Sequence, residues 1–342
     1  MRTRQIVQLL MREAGIGLAL ALLVLLFSLL APRFASLDNL TNILTQISIN
    51  TVIAVGMTFA ILLGGIDLSV GSVLALATVV GGMVITREGL PGWAAILLAV
   101  MASVAVGMAC GLFNGFVAER WKVHSFIVTL GMYNIARGAA LEVSNSRTIF
   151  SFPDAFNAVG SATVAGIPLI FLMALGAVLA GRFILQRTVF GRMIYAIGNN
   201  EEAVRLSGHT PAFYKVAAFT LTGAMVGVAA VMYMMRLNIA SPILGVGFEL
   251  SAIAAVVIGG TRMSGGQGSM VGTFLGACII GVLNNGLLLL GMGDFARQMV
   301  TGAIIVVAVV LDTYRARASV ASVRAEPLAQ GAARGGGAAA GG

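Results

Sequence analysis

The polar residues that could do chemistry stand in three places. The first is "GGIDLSVGS", residues 64–72, where Asp67, Ser69 and Ser72 sit among glycines between two long apolar runs. A carboxylate and hydroxyls at that spacing can cap the helix that follows, or carry a proton or a ligand along a membrane path. The second is a set of amides flanked by glycines, Asn114 in "GLFNGF" and the pair Asn284 and Asn285 in "GVLNNG". Such amides either bond across packed helices or line a water-filled path. The third is "GNNEEAVRLSGHTP", a short helix with Asn199 as its cap and Glu202, three residues on, as capping-box partner. Ala203 and Leu206 share one face, and Gly208 stops the helix before Pro211. Two turns of helix are marginal alone in water, so this one needs a surface to dock against.

Enzyme machinery is not expected. The chain has no G-x-x-x-x-G-K-[ST] phosphate loop, and His124 and His209 stand in separate segments. Neither a Ser-His-Asp arrangement nor metal-ligand spacing occurs. No cofactor or metal is therefore expected in this chain, and any nucleotide that drives it must bind another subunit.

The elements that position these residues follow from composition. The chain of 342 residues is 58% hydrophobic and 10% charged, against about 25% charged in soluble domains. Repeated apolar stretches of about 20 residues imply many helices crossing one lipid bilayer. The expected fold is all-α, a polytopic bundle of ten spans at about 14–31, 48–63, 69–86, 93–118, 125–141, 166–184, 216–235, 248–260, 270–290 and 296–312. The first span follows Arg2, Arg4 and Arg12 but exceeds the apolar core of a secretion signal, about 7–15 residues, so it reads as a span.

Charge orients the bundle. With the amino terminus inside, 15 of the 21 Lys and Arg residues fall on the inner side, which places both termini in the cytoplasm. This topology accounts for the net charge of +8, and no basic run is interleaved with aromatics as a nucleic-acid surface requires. Cys110 and Cys278 lie in apolar runs and behave as small hydrophobes.

The permease domain is expected over residues 1–313, and 314–342 is a low-complexity cytoplasmic tail without a transport role. Residues 142–165 form an outer loop and 185–215 the longest inner loop. Asn134, Arg137 and Glu142 near the outer end of the fifth span fit snorkelling side chains, and Glu249 suits a helix amino terminus. The run 48–63 is short for a straight crossing, so the joint holding Asp67 can sit below the membrane surface, as in broken transporter helices. "GGTRMSGGQGS" at 259–269 echoes the first glycine motif, also between two apolar helices.

Taken together, "FGRMIYAIGNNEEAVRLSGHTPAFYKVAAFTLTG", "GGIDLSVGS", "FELSAIAAVVIGGTRMSGGQGS" and "GVLNNGLLLLG" resemble the permease subunits of bacterial ATP-binding-cassette importers for monosaccharides, the ribose-permease type. The likeness covers roughly residues 40–313, with the motifs in the family's order. It implies a second copy of the permease, cytoplasmic ATPase subunits that bind ATP and Mg, and a periplasmic sugar-binding protein, all at the bacterial inner membrane. It also implies that Asn199, Glu201, Glu202, Ala203, Arg205, Ser207 and Gly208 belong to a coupling helix seated on the ATPase. Asp67, Ser69, Asn114, Asn284 and Asn285 are the candidates for the translocation path or its gate. Two alternatives remain: a branched-chain amino-acid importer permease, and an ion-coupled transporter in which Asp67 carries the proton.

Overall fold

The computed structural model describes residues 2–310, with side chains from Glu13 onward. Its helices, in chain order, are α1 (Arg2–Leu30), α2 (Leu37–Leu62), α3 (Val70–Ile85), α4 (Gly92–Trp121), α5 (Ser125–Val143) and α6 (Asp154–Ser161). They continue as α7 (Leu169–Arg187), α8 (Val189–Asn199), α9 (Glu201–Leu206), α10 (Pro211–Leu237), α11 (Phe248–Ile258) and α12 (Met270–Leu289). A further helix, α13, occupies 294–310. Each of the ten expected spans overlaps a helix among the described residues. The stretches Glu13–Leu30 of α1, α2, α4, α7, α10 and α12 are long and apolar enough to cross a bilayer. The tail at 314–342 lies outside the described residues.

The second helix departs from expectation. It runs for 26 residues rather than starting at 48, because Ser36 caps it by accepting from the Asn39 amide at 3.3 Å. Its first turns carry Asp38, Asn39, Thr41, Asn42 and Thr45, which dilute the apolar signal without breaking the helix. The short helices are instead α3, with 16 residues, and α11, with 11. At 1.5 Å per residue they reach about 24 Å and about 17 Å, short of a hydrocarbon core of about 30 Å.

The core forms around α2. From Thr51 to Leu62 every residue of α2 is buried, as expected of a helix that is apolar or small all round. It packs on α10, α12, α7 and α11. Between α4 and α10 the backbones close directly: Ser103, Gly107, Gly111 and Gly115 recur every four residues and face Gly223, Gly227 and the Phe219 backbone. Without a hydrophobic drive between helices in lipid, association comes from such close packing, which a Cβ at these positions would prevent.

The outer loop is structured. Ile149–Phe150 (β1) pairs antiparallel with Ile239–Ala240 (β4), and Thr163–Val164 (β2) pairs with Ile167–Pro168 (β3). Phe152 and Phe156 bury their rings with Ile85, Val231 and Met234, so the loop is a lid on the ends of α3 and α10. The opposite end of the bundle carries α8, α9 and both glycine motifs.

Candidate functional site

The first glycine motif is an unwound segment. Residues 65–67 carry no helix or strand, and Asp67 and Ser69 are only 2% and 1% exposed. Buried irregular backbone needs partners for its N–H and C=O groups. The first turns of α5 supply them. Ser125 Oγ accepts from Ile66 N and Thr129 Oγ1 from Leu68 N, each at 3.2 Å, and Thr129 donates back to Ile66 O. Neither residue stood out in the sequence; the signal available was two hydroxyls one helical turn apart, opening an apolar helix.

Asp67 does not cap α3 in the manner expected. Its Oδ1 accepts from Ser69 N at 2.9 Å and from Ser69 Oγ at 2.6 Å, a turn just upstream of the helix. Ser69, at the N-cap position, makes no side-chain cap bond, and Ser72 donates back to Ser69 O. Asn114 of α4 completes the group by donating to Ser69 Oγ at 3.0 Å. A lone charged Asp at mid-membrane costs about 2.5–3.5 kcal/mol on insertion scales. The two Ser69 donors supply the hydrogen-bond partners that such burial requires.

The intramembrane amides thus divide. Asn114 belongs to the Asp67 turn. Asn285 of α12 exchanges two amide hydrogen bonds with Asn39 of α2, at 2.9 and 3.0 Å, and acts as helix glue. Asn284, its neighbour, makes no such bond and lines a separate cavity between α2, α10, α11 and α12.

The second glycine motif folds against the first. Gly266 N donates to Leu62 O at 2.9 Å, tying the loop before α12 to the end of α2. A Cβ on Gly265 would stand 2.9 Å from Gly64 N, and one on Gly198 would overlap Leu62 O and Gly266 N. The two motifs and the end of α8 therefore meet backbone to backbone. Around this junction Tyr195 Oη donates to Gly268 O at 3.0 Å, and Asn199 Nδ2 donates to Tyr195 O and Gly266 O. Ser269, which caps α12, donates to Glu13 of α1, so α1 begins at this same end.

The cap of α9 is Asn200, not Asn199. Asn199 is the last residue of α8 and its side chain is engaged by the junction, whereas Asn200 takes extended backbone and accepts from Ala203 N at 3.0 Å. With the cap shifted, Glu202 no longer stands where a capping box needs it and pairs with Arg205 at 2.5 Å. The faces also differ from expectation: Val204 points inward, while Ala203 and Leu206 are exposed, Leu206 at 78%. Ser207 ends the helix and Gly208, at φ 84°, turns the chain away, as anticipated.

A charge cluster clamps α9 to the bundle. Lys215 of α10 holds Glu201 at 2.7 Å and Glu119 of α4 at 2.8 Å, and Lys122 adds a second cation to Glu119 at 2.8 Å. Burial pushes the Glu119 carboxyl up, but the hydrogen bonds and charges of Lys122 and Lys215 outweigh it and hold it below the usual carboxylate range. Burial likewise pulls Lys215 down, and the bonds to Glu119 and Glu201 more than reverse this. Sequence reading singled out Glu201 but neither Glu119 nor Lys215. Exposed on α9's outer surface and just past its end are Ala203, Leu206 and Gly208, beside the solvent-facing Glu202 and Arg205 pair.

At the start of α3, just past the Asp67 turn, Gly71 touches Gly245, so α3 and α11 start close together inside the bundle. Glu249 Oε1 accepts from Gly247 N at 3.2 Å, the helix-terminal role expected of it. Arg137 does not snorkel outward; its Nη1 donates to Pro242 O and Leu244 O at 2.5 and 2.8 Å, bracing the segment that precedes α11.

Residues 39–309 match the family model described as branched-chain amino acid transport system / permease component. The ribose import permease protein RbsC of Escherichia coli (strain K12) is 40% identical over 300 residues, 86% of this chain and 92% of that protein. RbsC of Bacillus subtilis (strain 168) is 40% identical over 305 residues, covering 88% and 93%. The D-allose transport system permease protein AlsC of Escherichia coli (strain K12) is 38% identical over 299 residues, covering 87% and 90%. With the glycine motifs, the broken helices and the clamped helix α9 in one fold, this chain belongs to the permease family of ATP-binding-cassette importers, on its ribose-type branch.

Proposed function

We propose that the chain is the membrane subunit of an importer that moves a monosaccharide, a ribose-like pentose or a hexose, across the bacterial inner membrane. It crosses ten times with both termini in the cytoplasm and works as a pair of copies. Residues 1–313 form the permease domain. Two ATPase subunits, which bind ATP and Mg, dock on the two copies of α9, and a periplasmic sugar-binding protein docks on the outer side. The ribose and allose transport named for the relatives supports the substrate class.

The observation that carries the reading is the seating of α9. It is a capped helix with an outward surface free for a partner, and it is tied inward by Lys215 and through α8 to the junction of the two glycine motifs. A push on α9 therefore reaches the ends of α2, α3, α11 and α12 as rigid-body motion, which a flexible connector would absorb. ATPase closure draws the two copies of α9 together and reorients the helices around the path, with the Asp67 turn inside the moving core.

Charge reversal on α9 tests this. The double variant Glu201→Lys with Arg205→Glu is expected to leave ATP hydrolysis running while sugar uptake is lost. Normal uptake per ATP, with normal assembly, refutes the role given to α9. The branched-chain amino acid description of the family model favours a second substrate class. Competition of labelled ribose uptake by excess leucine discriminates: no competition is expected.

A further inference from the structure

Polar side chains inside the apolar helices fall into two groups. Those of the first find partners, as Asn285 does with Asn39, Asn114 with Ser69, Thr58 with Thr273 at 2.8 Å, and Ser103 with Ala77 O at 3.0 Å. Of the second, which lack a partner, Thr51 is enclosed in the packed part of α2, and six others face one cavity of about 320 Å³. They are Gln46 and Asn50 of α2, Tyr233 and Arg236 of α10, Ser251 of α11 and Asn284 of α12. None of the six makes a side-chain hydrogen bond or ion pair with another described residue, and Asn50 Oδ1 is buried without a partner. Each of the six is half-buried.

The open side of such a cavity cannot rest against lipid. Unpaired amides and a guanidinium facing hydrocarbon are strongly disfavoured, and polar residues in membrane helices face the interior, a partner or water. The position fits a path. Tyr233 and Arg236 are near the end of α10 away from α9, so the cavity lies toward the outer side.

We propose, on the importer reading above, that this cavity is the chamber in which the permease receives one monosaccharide ring. Gln46, Asn50 and Asn284 each offer a donor and an acceptor, the same pair of functions that a sugar hydroxyl offers. The Tyr233 and Phe248 rings, with centroids 6.2 Å apart, give an apolar wall for the C–H face of the ring. The volume is at the low end of the range for small-molecule sites, about 300–1,000 Å³, which suits one ring and not an oligosaccharide. Among the described lining residues there is no carboxylate. The ammonium of an amino acid would find no counter-charge there, whereas a neutral polyol needs none.

The test uses the complete importer with Cys110 and Cys278 changed to alanine. Asn284→Cys is compared with Asn285→Cys, which sits in the paired amide contact. A membrane-impermeant methanethiosulfonate is expected to modify N284C at least tenfold faster than N285C. Asn50→Leu and Asn284→Leu, at unchanged amounts of assembled importer, are each expected to lower D-ribose uptake at least tenfold, with Asn284→Gln recovering much of it. Equal modification rates, or normal uptake in both leucine variants, overturns the chamber. Wild-type importer that moves no member of a pentose and hexose panel overturns the importer reading and the assigned ligand together. Normal wild-type uptake with N284C unmodified overturns the chamber alone.

Discussion

Lys215→Met removes the cation that ties α9 to the bundle. Lys215 Nζ stands 2.8 Å from a Glu119 oxygen and 2.7 Å from a Glu201 oxygen. At an effective dielectric constant of about 20, a unit pair at that distance attracts by about 6 kcal/mol before solvation is counted. Desolvation takes back most of it: exposed pairs net about 0.2–1 kcal/mol, and breaking a deeply buried pair costs about 3–5 kcal/mol. The Lys215 and Glu119 side chains, 19% and 11% exposed, lie between these limits, and Glu201 at 45% lies near the solvent-screened one. Lys122 stays to neutralise Glu119. The loss to α9 docking is therefore about 1–2 kcal/mol, or about 5–30-fold in the docked population. Hydrogen exchange reads this directly at the amides that close α9, those of Ser207, Gly208 and His209. In the complete importer their exchange is expected to quicken by that factor, and sugar moved per ATP to fall. Lys215→Arg keeps the charge and is expected to restore most of both. Unchanged exchange together with unchanged sugar per ATP in K215M would refute the clamp.

Gly198→Ala places a methyl group on the Leu62 carbonyl and the Gly266 amide; overpacking costs about 1–3 kcal/mol, so a lower thermal midpoint in detergent is expected, and an unchanged midpoint would count against the junction. Ser125→Ala with Thr129→Val strips the partners from the Ile66 and Leu68 amides. Each orphaned group costs about 1–3 kcal/mol, so the midpoint falls further than for either change alone, and Ser125→Thr is tolerated. The pH dependence of coupling follows from the clamp. Glu119 is held below its ordinary value, so its contribution is present above about pH 4.3 and is lost as pH falls through the depressed value. Lys215 is held above its ordinary value, so its contribution is full below about pH 10.4 and is lost as pH rises through the raised value. Sugar moved per ATP is accordingly expected to stay flat between about pH 5.5 and 9, and a step inside that window would contradict the assignment.

Much of the fold was legible because lipid imposes it: long apolar runs can only be helices there. The spans read at 69–86 and 248–260 lie on α3 and α11, but shortness was assigned to the helix before α3 instead of to them. That start was hidden because Ser36 and the polar first turns of α2 carry no apolar signal. Helix α9 was legible from its cap, stop and charges, but two adjacent asparagines left its register open by one residue. Only the tertiary contact of Asn199 with Gly266 decides between them. The junction of Gly64, Gly198 and Gly265 was not legible, since backbone approach between distant segments leaves no local pattern. The same holds for Asn284 and Asn285: identical neighbours in sequence, one faces Asn39 and the other the cavity, because successive residues of a helix point in different directions.

In the proposed mechanism, separate ATPase subunits drive sugar through this chain by way of α9. The most direct measurement is uptake of labelled ribose into vesicles holding the permease and its ATPase, with a loaded binding protein outside. Uptake that requires ATP inside, persists when an ionophore has collapsed the ion gradients, and is abolished when the ATPase is omitted is the expected result. Uptake that continues without the ATPase and stops with the ionophore would contradict the account and return Asp67 to the role of proton carrier.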